Sequence, residues 1–110
     1  MEIITRKDNE RMVVSVMGKM DAVTAPEFET NMKEWISQGM HRFVIDLGKL
    51  EYISSGGLRS ILVAARILKS CKGKMVISSI NGVVKNVFEI SGFTSLFEVY
   101  DSVENALQKV

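Results

Sequence analysis

The sequence predicts an α/β domain with a mixed sheet, and three observations support this prediction. Short apolar runs typical of buried strands alternate along the chain with apolar residues at helical spacing. A polar turn near the start joins two strand-like segments, which favours an N-terminal hairpin. Right-handed crossovers would make the later strands parallel, with the helices packed on the sheet. We therefore expect about five strands and about four helices in one domain spanning residues 1–110.

Alternating or continuous apolar residues mark the strands. The first two flank the polar turn Lys7–Glu10, and the third and fourth read as buried central strands because their apolar runs are nearly continuous. The five expected strands are Ile3–Thr5, Arg11–Met17, Phe43–Leu47, Met75–Ile77 and Leu96–Tyr100.

Residues suited to capping precede each expected helix. Thr24 and Glu27 match the capping-box pattern in front of the first helix. The second helix begins after Ser54, the third after Asn81 and the fourth after Ser102. An apolar stripe at helical spacing follows each of these positions.

The composition excludes several classes of protein. Fourteen basic and thirteen acidic residues give a formal net charge of +1, which argues against binding to nucleic acid or a membrane surface. One cysteine and one histidine rule out an intramolecular disulfide and leave little for a metal site or a catalytic triad. We expect no enzymatic activity, no metal and no cofactor. The sequence also lacks a signal peptide and a membrane span, so we expect a cytoplasmic protein. It should be monomeric when free, because no long apolar stripe is left over after the core is assigned.

One segment carries the functional signal, and it runs from Asp46 at the end of a buried strand to Arg59 in the next helix. Functional loops in α/β sheets concentrate at the carboxyl ends of strands. A helix N-terminus accepts an anion because its N–H groups are unpaired and carry partial positive charge. The residues Ser54–Gly57 supply two hydroxyls there, and their glycines permit the close approach of a backbone or a phosphate. They also suit an ordinary helix cap, and the Walker A pattern is absent.

Within this segment, Asp46-Leu47, Tyr52-Ile53-Ser54-Ser55 and Gly57-Leu58 resemble the signature of anti-sigma factor antagonists, which are STAS domains. Members of that family typically read Asp-Leu, several residues, an aromatic residue and then Asp-Ser-Ser-Gly-Leu.

The resemblance extends over nearly the whole chain. Gly18–Pro26 is similar to the family's Gly-x-Leu-Asp-x-x-Thr-Ala segment. Ser91–Phe93 and Leu96–Tyr100 resemble the Gly-Leu and Leu-Phe pattern that the family shows before its last helix. Together, in order and at the right spacing, these pieces are more specific than any one alone.

The resemblance implies a function. An unphosphorylated antagonist binds an anti-sigma factor that is also a serine kinase using ATP, and this frees a sigma factor for transcription. The kinase then phosphorylates a serine at the start of the antagonist's second helix and releases it, and a phosphatase can reset the serine. On this hypothesis the protein is a substrate and binding module, and the ATP is bound by its partner.

The signature departs from the family at one point. When the family signature is aligned with Asp46–Leu58 without gaps, the family's aspartate corresponds to Ser54 and its phosphoacceptor serine corresponds to Gly56. A shift of one residue places Asp-Ser-Ser on Ile53-Ser54-Ser55 but adds a glycine before the leucine. In both alignments Ser55 is the hydroxyl nearest the acceptor position, so we predict phosphorylation at Ser55 in preference to Ser54.

The resemblance also implies a partner-binding region. We expect Ser54, Ser55, Gly56 and Gly57 to lie in it, because they surround the predicted phosphoacceptor. Two further candidates complete the predicted region. They are Asp21, which corresponds to an aspartate that the family uses for partner contact, and Arg59, which follows in the first turn of the helix.

Two alternatives remain open at this point. The first is a STAS module that is not phosphorylated and acts as a scaffold or a transporter-associated subunit, which the missing aspartate before Ser-Ser favours. The second is a small-ligand or nucleotide-binding domain that uses the helix start at Ser54–Gly57.

Overall fold

A computed structural model describes all residues from 1 to 110. Its strands are β1 (Glu2–Asp8), β2 (Arg11–Met20), β3 (Arg42–Asp46), β4 (Leu50–Ile53), β5 (Lys74–Ser78) and β6 (Val99–Tyr100). Its α-helices are α1 (Ala25–Ser37), α2 (Ser55–Ser70), α3 (Gly82–Ile90) and α4 (Val103–Leu107), and one 3-10 turn spans Phe93–Ser95. None of the helices is long and apolar enough to cross a membrane.

The strands form one mixed sheet in the order β1-β2-β3-β5-β6, with β4 paired to the end of β2. The hairpin of β1 and β2 is antiparallel, and every other pairing is parallel. This confirms the predicted hairpin followed by parallel strands.

The strand β4 was not predicted. Leu50–Ile53 was expected to be loop, but it pairs with Gly18–Met20, with a register shift that leaves Glu51 of β4 without a partner in β2. The last strand is shorter than expected, since only Val99–Tyr100 pairs with β5.

Apolar residues on the two faces of the sheet form two cores of unequal size. The larger core joins the side chains of Val14 and Ile45 to α1, α2 and α3. On the other face, Val13, Val44 and Val76 pack only against α4 and the residues beside it. The parallel strands therefore read as continuous apolar runs because both of their faces are covered.

Two of the expected helix caps are correct and two are wrong. The hydroxyls of Ser54 and Ser102 accept hydrogen bonds from the N–H groups three residues later, as N-caps do. Thr24 and Asn81 stand at the N-cap positions of α1 and α3, but neither side chain caps its helix. The amide of Asn81 instead donates to the carbonyls of Gly48 and Ser79, which ties the start of α3 to the loop after β3.

Candidate functional site

The loop after β2 and the first turn of α2 meet on one side of the molecule. This follows from the sheet, because β4, which leads into α2, is the parallel neighbour of the end of β2. Asp21–Thr24 and Ser54–Gly57 therefore lie side by side. We call these two segments together the switch surface.

Backbone contacts between the two segments are close. The N–H of Ser54 donates to the carbonyl oxygen of Met20 at 3.0 Å. A Cβ at Gly57 would lie 2.5 Å from the same oxygen and 2.7 Å from Cγ1 of Ile53. Only glycine lets the first turn of α2 sit directly on the end of β2.

Gly56 also packs closely against the neighbouring loop. A Cβ at Gly56 would lie 3.0 Å from Cα and 3.1 Å from the nitrogen of Ala22. The two glycines of the signature therefore have a packing role, since they hold the loop after β2 against the start of α2.

The side chains of Ser54 and Ser55 differ in exposure and in bonding. Ser54 is half-buried, and its hydroxyl accepts the N–H of Gly57 at 3.4 Å. Ser55 is the first residue of α2 and is exposed to solvent. Of the two hydroxyls, that of Ser55 is the one open to an incoming enzyme.

The carboxylate of Asp21 organises the turn before α1. Its Oδ1 accepts the N–H groups of Val23 and Thr24, each at 3.0 Å. In return, the N–H of Asp21 donates to the hydroxyl of Thr24 at 2.9 Å. This reciprocal pair replaces the predicted capping box, because the Thr24 hydroxyl faces back toward Asp21 and Lys19 instead of forward into the helix.

The same hydrogen bonds change the acidity of Asp21. The N–H of Thr24, with smaller help from the N–H of Val23, holds the pKa of the Asp21 carboxyl below its usual value. The carboxylate is therefore charged at neutral pH and places a fixed negative charge beside the start of α2.

One further side chain, Arg59, extends the switch surface, and one within it, Val23, is apolar and exposed. Arg59 is exposed on α2, and none of the salt bridges of the structure involves it. Val23 is 87% exposed at the tip of the turn, as is Ile90 on α3. Val23 was not predicted as a site residue, although an apolar residue between Asp21 and Thr24 is a sequence signal for an exposed turn contact.

The switch surface has no cavity for a small ligand. The largest cavity, of about 500 Å³, lies at the β1–β2 turn and is lined by residues such as His41, Arg42 and Lys72. None of the three cavities includes a residue of Ser54–Gly57. No three side chains of the types His, Cys, Asp and Glu are grouped so that they could hold a metal ion.

The role of the Asp21 carboxylate can be tested through the pH dependence of stability. Its pKa is lower in the folded chain than in the unfolded one, so its stabilising effect is full above the unfolded pKa of about 4 and is lost as the pH falls through the folded pKa. In Asp21→Asn the oxygen acceptor is kept and the charge is removed. We expect urea midpoints of this variant to fall less steeply below about pH 4 than those of the wild type. Asp101→Asn, which changes an exposed aspartate, is the control, and equal slopes for both variants would contradict the assignment.

The packing role of Gly57 predicts a large loss of stability in Gly57→Ala. The added methyl group meets a backbone oxygen that cannot rotate away, so unfolding should require about 1–3 kcal/mol less free energy. Ser55→Ala, two residues earlier in the same turn, should change stability by no more than about 0.5 kcal/mol because the side chain is exposed. Urea denaturation measures both, and a Gly57→Ala protein as stable as the wild type would refute the close packing.

Comparison with known proteins identifies the fold and the family. The family model of the STAS domain matches residues 2–106. The BtrV protein of Bordetella bronchiseptica, named as an anti-sigma factor antagonist, is 36% identical over 106 residues, which cover 96% of this chain and 91% of BtrV.

Solved structures agree with this match. An anti-sigma factor antagonist from Mycobacterium paratuberculosis superposes with a TM-score of 0.89 at 25% identity, covering 99% of this chain and 92% of its own. The phosphorylated form of SpoIIAA, a cell fate determinant of Bacillus, superposes with a TM-score of 0.77 at 18% identity, covering 98% of both chains, and shows the fold alone. The chain described here belongs to the STAS domain family, and its relatives are named as anti-sigma factor antagonists.

Proposed function

We propose that this protein is an anti-sigma factor antagonist that binds an anti-sigma factor with serine kinase activity and thereby frees a sigma factor. The observation that carries the proposal is the switch surface, where the loop after β2 and the first turn of α2 form an exposed surface without a cavity. The names of the relatives, BtrV among them, point to the same class of partner. The protein itself supplies no catalytic group in this scheme.

The chemistry of the switch surface fits a protein partner. Val23 offers an exposed apolar contact, Asp21 in the same turn offers a negative charge, and Arg59 on α2 offers an exposed positive charge. Protein interfaces commonly combine such a desolvated apolar centre with a charged rim. The partner would therefore present a small apolar pocket for Val23, with charged groups around it.

Phosphorylation of Ser55 would act on the interface and leave the fold intact. Phosphoserine carries about −1.5 to −2 charges at neutral pH. At the first residue of α2 this charge is stabilised by the helix N-terminus, and the exposed guanidinium of Arg59, one helical turn later, can pair with it. In the interface with the kinase, however, the added charge would lie where the partner is fitted to a neutral hydroxyl, so the kinase would release its product. A phosphatase would then restore binding.

A second candidate is an antagonist that binds without being switched by phosphorylation. It is favoured by Gly56, which occupies the acceptor position when the family signature is aligned without gaps. A Cβ added at Gly56 would lie only 3.0 Å from the backbone of Ala22. The packing at this position therefore suits glycine, which has no side chain and no hydroxyl to phosphorylate. A STAS scaffold without a phosphorylated serine would share this feature.

Phosphate mapping separates the two candidates. The protein is mixed with ATP and its cognate anti-sigma factor, and the modified residue is located by mass spectrometry. Phosphate on Ser55 supports the switch, and the Ser55→Ala variant should then remain unmodified. Absence of phosphate from both Ser54 and Ser55 would favour the second candidate.

Variants at Ser55 test the effect of charge on binding. Ser55→Ala should bind the anti-sigma factor as well as the wild type and resist release by ATP. Ser55→Asp should weaken binding by at least about tenfold, because it places a charge inside the contact. Ser70→Asp, at the far end of α2, is the matched control and should bind normally. Calorimetric titration measures all three affinities, and wild-type affinity of Ser55→Asp would show that charge at this position is not the switch.

A further inference from the structure

The outer edge of β1 is unpaired. This strand is the first in the sheet order and has seven residues, and its other edge pairs with β2 in an unbroken register from Glu2 to Asp8. Proteins usually protect a long edge strand with a proline, a bulge, charged side chains or a covering segment, because free N–H and C=O groups recruit another strand. The strand β1 contains no proline and no bulge, and its charged residues are Glu2, Arg6, Lys7 and Asp8.

The free backbone groups of β1 belong to alternate residues. Asp8 and Arg11 flank the two-residue turn, which is where an antiparallel hairpin exchanges its first hydrogen bonds. Counting back from Asp8 by twos, Glu2, Ile4 and Arg6 bond to β2. The N–H and C=O groups of the intervening residues, Ile3 and Thr5 among them, therefore point outward.

Three side chains of β1 share one face and lack strong partners. Ile4 is 52% exposed. Glu2 takes part in none of the salt bridges. The guanidinium of Arg6 lies 4.0 Å from the carboxylate of Asp8, whereas the guanidinium of Arg11 lies 3.3 Å from the same carboxylate. Along this face an acidic residue (Glu2), an apolar residue (Ile4) and a basic residue (Arg6) follow one another at intervals of two residues.

We propose that two copies of the protein pair through β1 in antiparallel orientation, with the two-fold axis at Ile4. In this register Glu2 of each copy faces Arg6 of the other, and Ile4 faces Ile4 in a pair with close side chains. Ile3 and Thr5, whose backbone groups point outward, exchange the hydrogen bonds. The exposed Ile4 side chains are covered, and both charges gain partners.

Charge selects this register over its neighbour. If the axis were at Thr5, Glu2 would face Asp8 of the other copy and Ile4 would face Arg6. Like charges directly opposite each other destabilise a strand pair, so that register is disfavoured. Since a two-fold interface uses the same patch twice, the sequence of β1 complements itself only when centred on Ile4. This dimer replaces the expectation of a monomer, and it uses no residue of the switch surface.

Charge exchange in the full chain tests the proposal. Analytical ultracentrifugation over a range of concentrations should show a reversible dimer that added salt weakens. Glu2→Arg or Arg6→Glu alone should raise the dissociation constant roughly tenfold, because each places two like-charged pairs across the interface. The double variant Glu2→Arg/Arg6→Glu should restore dimerisation. A wild-type protein that stays monomeric at high concentration would overturn the proposal, as would a double variant weaker than either single one.

Disulfide trapping tests the register directly. In a Cys71→Ser background, Ile4→Cys should form a cross-linked dimer rapidly, because the two residues at the axis lie within disulfide distance. Thr5→Cys is the matched control. It should cross-link slowly, because residue 5 of one copy faces Ile3 of the other copy, and the two residues 5 are offset along the strands. Faster cross-linking of Thr5→Cys than of Ile4→Cys would overturn the proposed register.

Discussion

The carbonyl oxygen of Met20, at the end of β2, is the point on which the switch surface depends. It accepts the N–H of Ser54, and it leaves no space for a side chain at Gly57. The first turn of α2 is therefore fixed on the edge of the sheet. Because Ala22 packs against Gly56 in the same way, the turn before α1 is fixed to α2 as well. The surface is thus preformed, and partner binding need not order two separate loops.

Electrostatics at this surface follow from the backbone. Asp21 is held ionised by the N–H groups of its own turn, and the N-terminus of α2 carries partial positive charge. The neutral, exposed hydroxyl of Ser55 belongs to the first residue of this helix. A single phosphate there would change the local charge strongly without entering the core. On the proposed function, this charge would alter binding while the sheet and its helices stay unchanged.

The sequence was sufficient for the regular parts of the fold and for only part of the site. The hairpin, the parallel strands and the caps at Ser54 and Ser102 follow from periodicity and local chemistry. Other features depend on contacts that residue periodicity does not encode. The strand β4 exists because it pairs with the end of β2, and the Thr24 hydroxyl turns back because Asp21 and Lys19 offer it partners. Likewise, the exposure of Val23 is a property of the folded turn.

The central claim is that one surface, formed by the two loops, receives the anti-sigma factor. Nuclear magnetic resonance tests it most directly, by titrating the unlabelled anti-sigma factor into the ¹⁵N-labelled protein. We expect the largest amide shift changes in residues 20–24 and 54–59, appearing together because the two segments share backbone contacts. Shift changes confined to α3 or α4, with both of these segments unaffected, would contradict the account.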